Sequence, residues 1–432
     1  MLLRRFFRGP RGTIIKSLQP KKDELKEHLT KQIISNGPLS FAQYMEQCLA
    51  HPQYGYYCQG DVFGRKGDFI TSPEISQLFG EMIGVWLNHV QQKFKNPFRW
   101  NLIELGPGRG TLTCDILRTL KSLDCLSGLS IHLVDVSAAL RKIQKENIEK
   151  VFKDWGLKTW SQSEDGIDKL FYEHTSFLWY DSFEKMRDLY NKALKGYPAI
   201  VIGHELFDAL PIYIFEFSEQ QGWCEVQVNL TENDDFQLIR SNGPNQNVKN
   251  ILKPEKRFSG EASIQLFEGN RIELSPVSVS LMTQICDFIN STVGAGIIID
   301  YGENHSFSNS IRGIKGHEKL DADKWLQMPG KVDLSAYVDF STLKAVADTY
   351  TDLRTIGPIP QGFFLESMGI GARVDYLKTQ NNAEKGAQLD IEYERLASSE
   401  QMGEIYKVLY TGSKSLGEVY PFLDNLQIEK NE

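Results

Sequence analysis

Apolar residues recur at helical spacing near the start of the chain: Leu25, Leu29 and Ile33 before the Asn36-Gly37-Pro38 break, then Phe41, Tyr44, Met45 and Leu49 after it. Residues three and four apart share a helix face, so residues 23–50 are predicted to be helical on both sides of that break. A turn-rich stretch follows, from Tyr54-Gly55-Tyr56-Tyr57 through Gly64-Arg65-Lys66-Gly67-Asp68-Phe69-Ile70-Thr71-Ser72-Pro73. A helix is predicted from Glu74 to about Gln91, with Ser72 as its cap and Pro73 in its first turn, where a missing N–H is no loss.

From about residue 100 the pattern changes to short apolar runs separated by helical segments. Trp100 to Leu105, Leu129 to Val136, Ala199 to Gly203 and Gly296 to Tyr301 are predicted strands of a mainly parallel sheet. Helical patterns over Thr111 to Leu123 and Ala138 to Phe152 interleave with them, which indicates a doubly wound α/β layer. Residues 211–230 alternate instead, with Tyr213, Phe215 and Phe217 before a turn and Trp223, Glu225 and Gln227 after it, as a strand pair inserted behind the fourth core strand. Residues 231–260 are polar and contain Asn242-Gly243-Pro244-Asn245, so a mobile loop is expected there, and 303–335 is expected to be a second irregular insertion.

Composition narrows the function classes. Hydrophobic positions make up 41% of the chain and charged ones 24%, the balance of a soluble globular protein with a sizeable core. A net charge of -8 argues against a generic nucleic-acid surface, which demands a basic face. The six cysteines form no CxxC pair and no His/Cys cluster, so free thiols and no structural zinc are expected. No apolar run approaches the roughly 18 residues of a membrane span, so no stable membrane insertion is expected. Residues 1–22 differ from the rest: Arg4, Arg5, Arg8, Arg11, Lys16, Lys21 and Lys22 precede the first acid, Asp23. An acid-free, Arg-rich amphipathic start has the character of a mitochondrial transit peptide, and it is set apart from the fold.

The candidate chemistry begins at Glu104-Leu105-Gly106-Pro107-Gly108-Arg109-Gly110-Thr111, which follows a predicted strand and opens a predicted helix. Glycines at Gly106, Gly108 and Gly110 allow a tight turn and close approach of backbone to a ligand, while the helix N-terminus favours an anionic group such as a carboxylate. Asp135 ends the next apolar run, where an acid can accept both ribose hydroxyls. Glycines spaced GxGxG after an acid favour S-adenosyl-L-methionine over a dinucleotide, whose turn more often reads GxGxxG.

Ligands of open α/β sheets bind at the carboxyl ends of the strands, which draws attention to Gly203-His204-Glu205-Leu206-Phe207-Asp208 and to Asp300-Tyr301-Gly302. Two carboxylates, Glu205 and Asp208, beside a sulfonium methyl donor suit a cationic nucleophile such as arginine, whose guanidinium they can hold by charge-assisted hydrogen bonds of about 1.5–3 kcal/mol each. The blander alternative has Asp208 capping a helix and Glu205 binding the cofactor. His204 is either packed or a proton acceptor, with packing preferred, and Tyr301 either lines the pocket or is core.

At these residues the chain resembles a known family, the mitochondrial protein arginine methyltransferases that act as assembly factors for respiratory complex I (MidA-like). The resemblance is carried by Gly67-Asp68-Phe69-Ile70-Thr71-Ser72-Pro73-Glu74-Ile75-Ser76, Glu104 to Thr111, His204 to Pro211, Ile299 to Gly302, Val338-Asp339-Phe340 and Gly357 to Leu365. It implies a seven-stranded S-adenosyl-L-methionine-dependent methyltransferase fold, Rossmann-like and doubly wound, with an N-terminal helical or lid region over 23–95. The methyltransferase domain would cover 96–432, with insertions at about 211–280 and 303–335. It also implies a matrix location and symmetric dimethylation of an arginine on the core complex I subunit that helps form the quinone site. By the same resemblance Glu205 and Asp208 would be catalytic. Gly106, Gly108 and Gly110 would carry the cofactor turn and Asp68, Thr71 and Ser72 would close over it; the strand-end positions themselves add Glu104 and Asp135 to the cofactor site and Asp300 and Tyr301 to the substrate side. The chain departs from the family pattern at Tyr337, where histidine is usual, and at Pro360, where threonine is usual. Two rival readings are a methyltransferase acting on RNA or a small molecule, and a catalytically silent assembly chaperone on the same fold.

Overall fold

The computed structural model of the chain describes residues 23–58, 71–164, 167–193, 196–258 and 266–424. The transit-peptide expectation, at 1–22, and Asp68 therefore lie outside the described residues. The apolar runs form strands: β1 (Trp100–Leu105), β2 (Leu129–Val134), β3 (Trp160–Glu164), β4 (Ile167–Tyr172), β5 (Thr175–Tyr180), β6 (Ala199–His204), β7 (Ala295–Glu303), β8 (Leu353–Pro360) and β9 (Tyr406–Ser413). They join one sheet in the order β8-β9-β7-β6-β1-β2-β5-β4-β3, with a short strand Val338–Asp339 added alongside β7. The five central strands, β5-β2-β1-β6-β7, are parallel, and β9 runs antiparallel between β7 and β8.

The seven-stranded expectation corresponds to β5 through β8 of this order, extended at one edge by the antiparallel pair β3 and β4. The chain leaves β1 towards β2 and β5, then returns to the other side of β1 for β6 and β7. Such a reversal opens a crevice at the carboxyl ends of the strands on either side of it. Register aligns those ends, since Leu105 pairs with Val134 on one side and Gly203 on the other, and His204 pairs with Ile299.

Helices cover both faces of the sheet. In chain order they include α1 (Glu24–Asn36), α2 (Phe41–Ala50), α3 (Gln77–Gln91), α4 (Thr111–Ser122), α5 (Ala138–Asp154), α6 (Phe183–Ala193), α7 (Pro276–Thr292) and α8 (Phe340–Ala347). Successive strand residues point to opposite faces, so the apolar runs feed two cores. Leu102, Ile200, Ile202, Ile297 and Ile299 pack with α3, α4 and α5, whereas Ile103, Leu105, Val201 and Ile298 pack with α6, α7 and α8. Each large side chain buried this way contributes about 1.5–3 kcal/mol relative to exposure.

A third core sits apart from the sheet. Leu25, Leu29 and Ile33 of α1 and Phe41, Tyr44 and Met45 of α2 pack on Ile214, Val226 and Val228 of the inserted hairpin and on Trp325 and Leu334 of the second insertion. The N-terminal region thus divides: α1 and α2 build a cap with the insertions, while α3 belongs to the sheet domain.

Three expectations need correction. The helix expected from Glu74 is broken at Ser76, which is extended (φ -155, ψ 142); a short helix Ser72–Ile75 precedes α3, and Ser76 rather than Ser72 caps the longer one. Of the stretch 231–260, the described part, 231–258, is not a mobile loop. Phe236–Arg240 adds a third strand to the hairpin, and Asn245 and Asn247 donate to the buried Glu225 carboxylate, so the polar residues of that segment serve an interior acid. Residues 303–335 are not irregular either: Arg312–Lys315, Glu318–Leu320 and Asp333–Ser335 form a small sheet over the Trp325 ring.

Candidate functional site

A cavity of about 300 Å³ opens where the ends of β1, β2 and β6 meet, floored by the glycine turn and roofed by residues of the cap such as Tyr57 and Asp333. Gly106, Gly108 and Gly110 all have positive φ (65°, 55° and 76°), a conformation that costs an L side chain about 1–2 kcal/mol and glycine nothing. A Cβ on Gly106 would come to 3.0 Å from Cδ1 of Leu206, which would have to shift to make room. α4 starts directly after Gly110, with its unsatisfied N–H groups towards the turn.

Polar groups around this turn are well partnered. Glu104, at the end of β1, is buried and accepts from the Thr113 hydroxyl; burial pushes its carboxyl up to about 7 against that hydrogen bond. Asp135 accepts from the Ser137 N–H at 2.8 Å and from the Gln144 amide at 2.9 Å, while burial pushes its carboxyl up to about 6. The same Gln144 amide donates to the Gly108 carbonyl at 2.8 Å, and its oxygen accepts from Trp179 Nε1 at 3.1 Å. Gln144 therefore clamps the glycine turn to the acid of the next strand. Glu74 performs a similar service from the other side, accepting from Thr111 and facing Arg109 at 3.6 Å.

The turn after β6 is built differently. Glu205 sits at φ 48°, a left-handed conformation unusual for a residue with a side chain, and such strain concentrates at functional sites. Its N–H is tied to the Ile299 carbonyl at 2.9 Å, and its Oε1 accepts from the Ser72 N–H at 3.1 Å. His204 Nε2 lies 3.2 Å from the same oxygen without hydrogen-bond alignment, and the ring packs 4.9 Å from Phe79. Asp208, in the single turn Phe207–Ala209, is buried, and its Oδ1 has no partner among the described residues. Burial and the Glu205 charge push its carboxyl up to about 6, while the Tyr301 hydroxyl and Arg312 pull it down.

Asp300 holds this turn in place. Its Oδ2 accepts from the N–H groups of Leu206 (3.1 Å), Phe207 (2.9 Å) and Asp208 (3.3 Å), and its Oδ1 from that of Tyr301 (2.9 Å). The carboxylate is fully buried and outside the cavity wall, so the expectation that Asp300 faces substrate is corrected: its oxygens are committed to backbone.

A family model for S-adenosyl-L-methionine-dependent methyltransferases matches residues 82–359. The chain belongs to this methyltransferase family. Relatives include the proteins named mitochondrial protein arginine methyltransferase NDUFAF7 from Danio rerio (35% identical, covering 88% of this chain and 85% of that one) and Homo sapiens (35%, 87% and 80%). The similarly named homologue of Drosophila melanogaster is 33% identical over 89% of this chain and 84% of its own. Among solved structures, a superfamily member from Burkholderia thailandensis bound to S-adenosylhomocysteine shares the fold (TM-score 0.74, 22% identity, covering 92% of this chain and 93% of that one).

The methyl donor of this methyltransferase is S-adenosyl-L-methionine, and the residues present fit it. The glycine cradle leaves backbone bare, α4 presents its N-terminus, and Asp135 lines the cavity with lone pairs beyond those engaged by Ser137 and Gln144. Glu104, Gly106, Gly108, Thr71, Glu205 and Asp208 line the same cavity. Gly110 lies just behind it, Ser72 contributes only its N–H to Glu205, and Tyr301 is buried at the β7 end behind Asp208. Gln144 and Glu74 were missed by sequence reasoning, yet Gln144 left a signal: it is the one polar residue on the Leu140, Ile148 face of α5. Among the described residues no helix is long and apolar enough to cross a membrane.

Proposed function

We propose that the chain is a protein arginine methyltransferase of the mitochondrial matrix. The observation that carries this reading is the pair of carboxylates at the end of β6, both on the wall of the cofactor cavity, with Asp208 Oδ1 buried and unpartnered. A buried acceptor without a donor is costly, and a planar cation with several N–H groups relieves that cost. The printed names of the relatives support arginine as the acceptor. By the resemblance seen in the sequence, the reading extends to symmetric dimethylation of an arginine on the core quinone-site subunit of complex I and to a role in assembling that complex.

S-adenosyl-L-methionine, when bound, supplies an electrophilic methyl group on a sulfonium. The glycine turn and Asp135 hold the donor, and the cap over the cavity excludes water. Glu205 and Asp208 grip the guanidinium and aim one nitrogen at the methyl carbon, so that orientation supplies much of the rate. Transfer requires the guanidinium to give up a proton, and an ionised carboxylate in the site can accept it. Asp300 keeps the 205–208 turn in the geometry this demands.

The test is mass spectrometry of complex I subunits from cells carrying the wild-type chain or Glu205→Gln. Dimethylarginine on a quinone-site subunit with wild type, lost with a variant that still folds and binds S-adenosylhomocysteine, is the expected outcome. No mark with wild type would remove this substrate and favour the silent chaperone.

A further inference from the structure

The second insertion delivers a guanidinium to the back of the acidic turn. Arg312 pairs with Ser335 in the small inserted sheet, and the next residue, Ala336, donates its N–H to the Asp208 carbonyl at 2.9 Å. The insertion is thus hydrogen-bonded directly to the turn that carries Asp208. The Arg312 guanidinium carbon lies 4.0 Å from the Tyr301 ring centroid and 4.6 Å from that of Tyr337, a sandwich between two aromatic faces. The rings are fixed in turn: Tyr301 packs edge-on to Tyr337 (5.3 Å) and Tyr406 (5.5 Å), Phe307 packs on Tyr337 (5.1 Å), and the Tyr337 N–H donates to Ser310 at 3.0 Å.

Four buried polar atoms cluster here without a well-aligned hydrogen bond among the described residues: Asp208 Oδ1, the Tyr301 hydroxyl, which faces both Asp208 and Ser335, Ser335 Oγ and Arg312 Nε. Burying the Nε side of a guanidinium with no carboxylate in ion-pair contact among the described residues costs free energy unless its charge serves a neighbour. The groups around Asp208 are Glu205, Asp300, Tyr57 with its Asp333 partner, Tyr301, Tyr406 and Arg312. Among the described residues Arg312 is the one guanidinium in that set.

Resting on the arginine methyltransferase reading, we infer that Arg312 is a positioning residue: clamped between Tyr301 and Tyr337, it is a built-in counter-cation that keeps Asp208 charged and aimed at the acceptor. It stands behind the cavity wall, so it does not compete for the space the acceptor takes. Its pull on Asp208 opposes the burial and like-charge repulsion that favour the neutral acid. The inserted segment is then part of the reaction apparatus, since it supplies a positive charge that four crowded carboxylates do not find elsewhere among the described residues.

The experiment uses the full chain and two readouts. The first is a thermal-unfolding double-mutant cycle of Arg312→Gln and Asp208→Asn at pH 8 and pH 5. Asp208 is ionised at the higher pH and neutral at the lower, so coupling is expected at pH 8 and should fade at pH 5. Additive shifts at pH 8, or equal coupling at both values, would overturn the inference. If Arg312→Gln does not fold, Tyr337→Leu, which removes one face of the clamp, replaces it in the cycle.

The second readout is the pH dependence of kcat/KM on an arginine peptide from the quinone-site subunit. Arg312→Gln should move the acid limb up by about one pH unit and lower kcat/KM on the order of tenfold to a hundredfold, with Arg312→Lys recovering part of both. An unmoved limb with intact S-adenosylhomocysteine binding would sink the positioning role. An inactive wild-type chain whose cycle still couples would instead sink the arginine reading and leave the Arg312 to Asp208 linkage standing.

Discussion

Two turns follow neighbouring parallel strands and meet at one cavity, yet they are built on opposite terms. After β1, every positive φ from Gly106 to Gly110 is taken by glycine, and the acids Glu104 and Asp135 and the Gly108 carbonyl are satisfied by Thr113, Ser137 and Gln144. After β6, the positive φ is taken by Glu205, and Asp208 Oδ1 is left buried without a partner. A satisfied turn is ready to hold a cofactor at little cost. A strained turn with an orphaned carboxylate stores unfavourable energy that only a ligand relieves, as expected where an acceptor must be oriented.

The sharpest break of that contrast is Gly108→Val. A β-branched side chain at φ 55° is both strained and placed where backbone must approach the donor. Binding of S-adenosylhomocysteine, followed by calorimetry, should weaken by more than about a hundredfold, equivalent to about 3 kcal/mol. Near-normal binding by this variant would mean that the glycine turn does not hold the cofactor.

The next test sets the two acids against each other. Burial raises the Asp208 carboxyl from 3.8 to about 6, so the stability it lends is present below about pH 4 and is lost as pH rises through about 6. Asp208→Asn should therefore raise the midpoint of thermal unfolding at pH 8, leave it nearly unchanged at pH 4, and lower methyl transfer by about a hundredfold or more. Asp135→Asn removes a carboxylate that burial raises to about 6 as well, but sets a new amide against the Ser137 N–H or the Gln144 amide, donor against donor, so its midpoint at pH 8 should gain less than that of Asp208→Asn and at pH 4 should fall. If Asp135→Asn gains as much as Asp208→Asn at pH 8 and loses nothing at pH 4, the contrast between the turns fails.

The same contrast explains what could be read in one dimension. The glycine turn was legible because its logic is local: a strand, three glycines, a helix start and an acid at the next strand end lie close in sequence. Four of the five parallel strands, β1, β2, β6 and β7, read as continuous apolar runs because both faces of the sheet are covered, while β5, which begins Thr175-Ser176, did not. β3 and β4 escaped notice as short mixed-polarity strands at and next to the sheet edge, and β8 is interrupted by Gly357-Pro358. The second turn was legible only as a cluster of acids. Nothing local told Asp300, whose carboxylate turns back onto three consecutive N–H groups, from Asp208, whose carboxylate faces the cavity. Nor could spacing bring Arg312 to Tyr301, since that contact depends on how an inserted sheet docks.

Gln144 gives the mildest and most discriminating test, because it separates holding the donor from transferring the methyl group. Gln144→Leu keeps the shape of the α5 face but removes the donor to the Gly108 carbonyl and Asp135 Oδ2 and the acceptor for Trp179 Nε1. Leaving such groups buried and unpaired costs about 1–3 kcal/mol, so a lower unfolding midpoint is expected together with roughly tenfold weaker cofactor binding. At saturating S-adenosyl-L-methionine, kcat should be unchanged, because Gln144 touches nothing in the 204–208 turn. A fall in kcat with an unaltered KM for the donor would show that the two turns are not separable, and that the clamp on the glycine turn also sets the geometry of the acids.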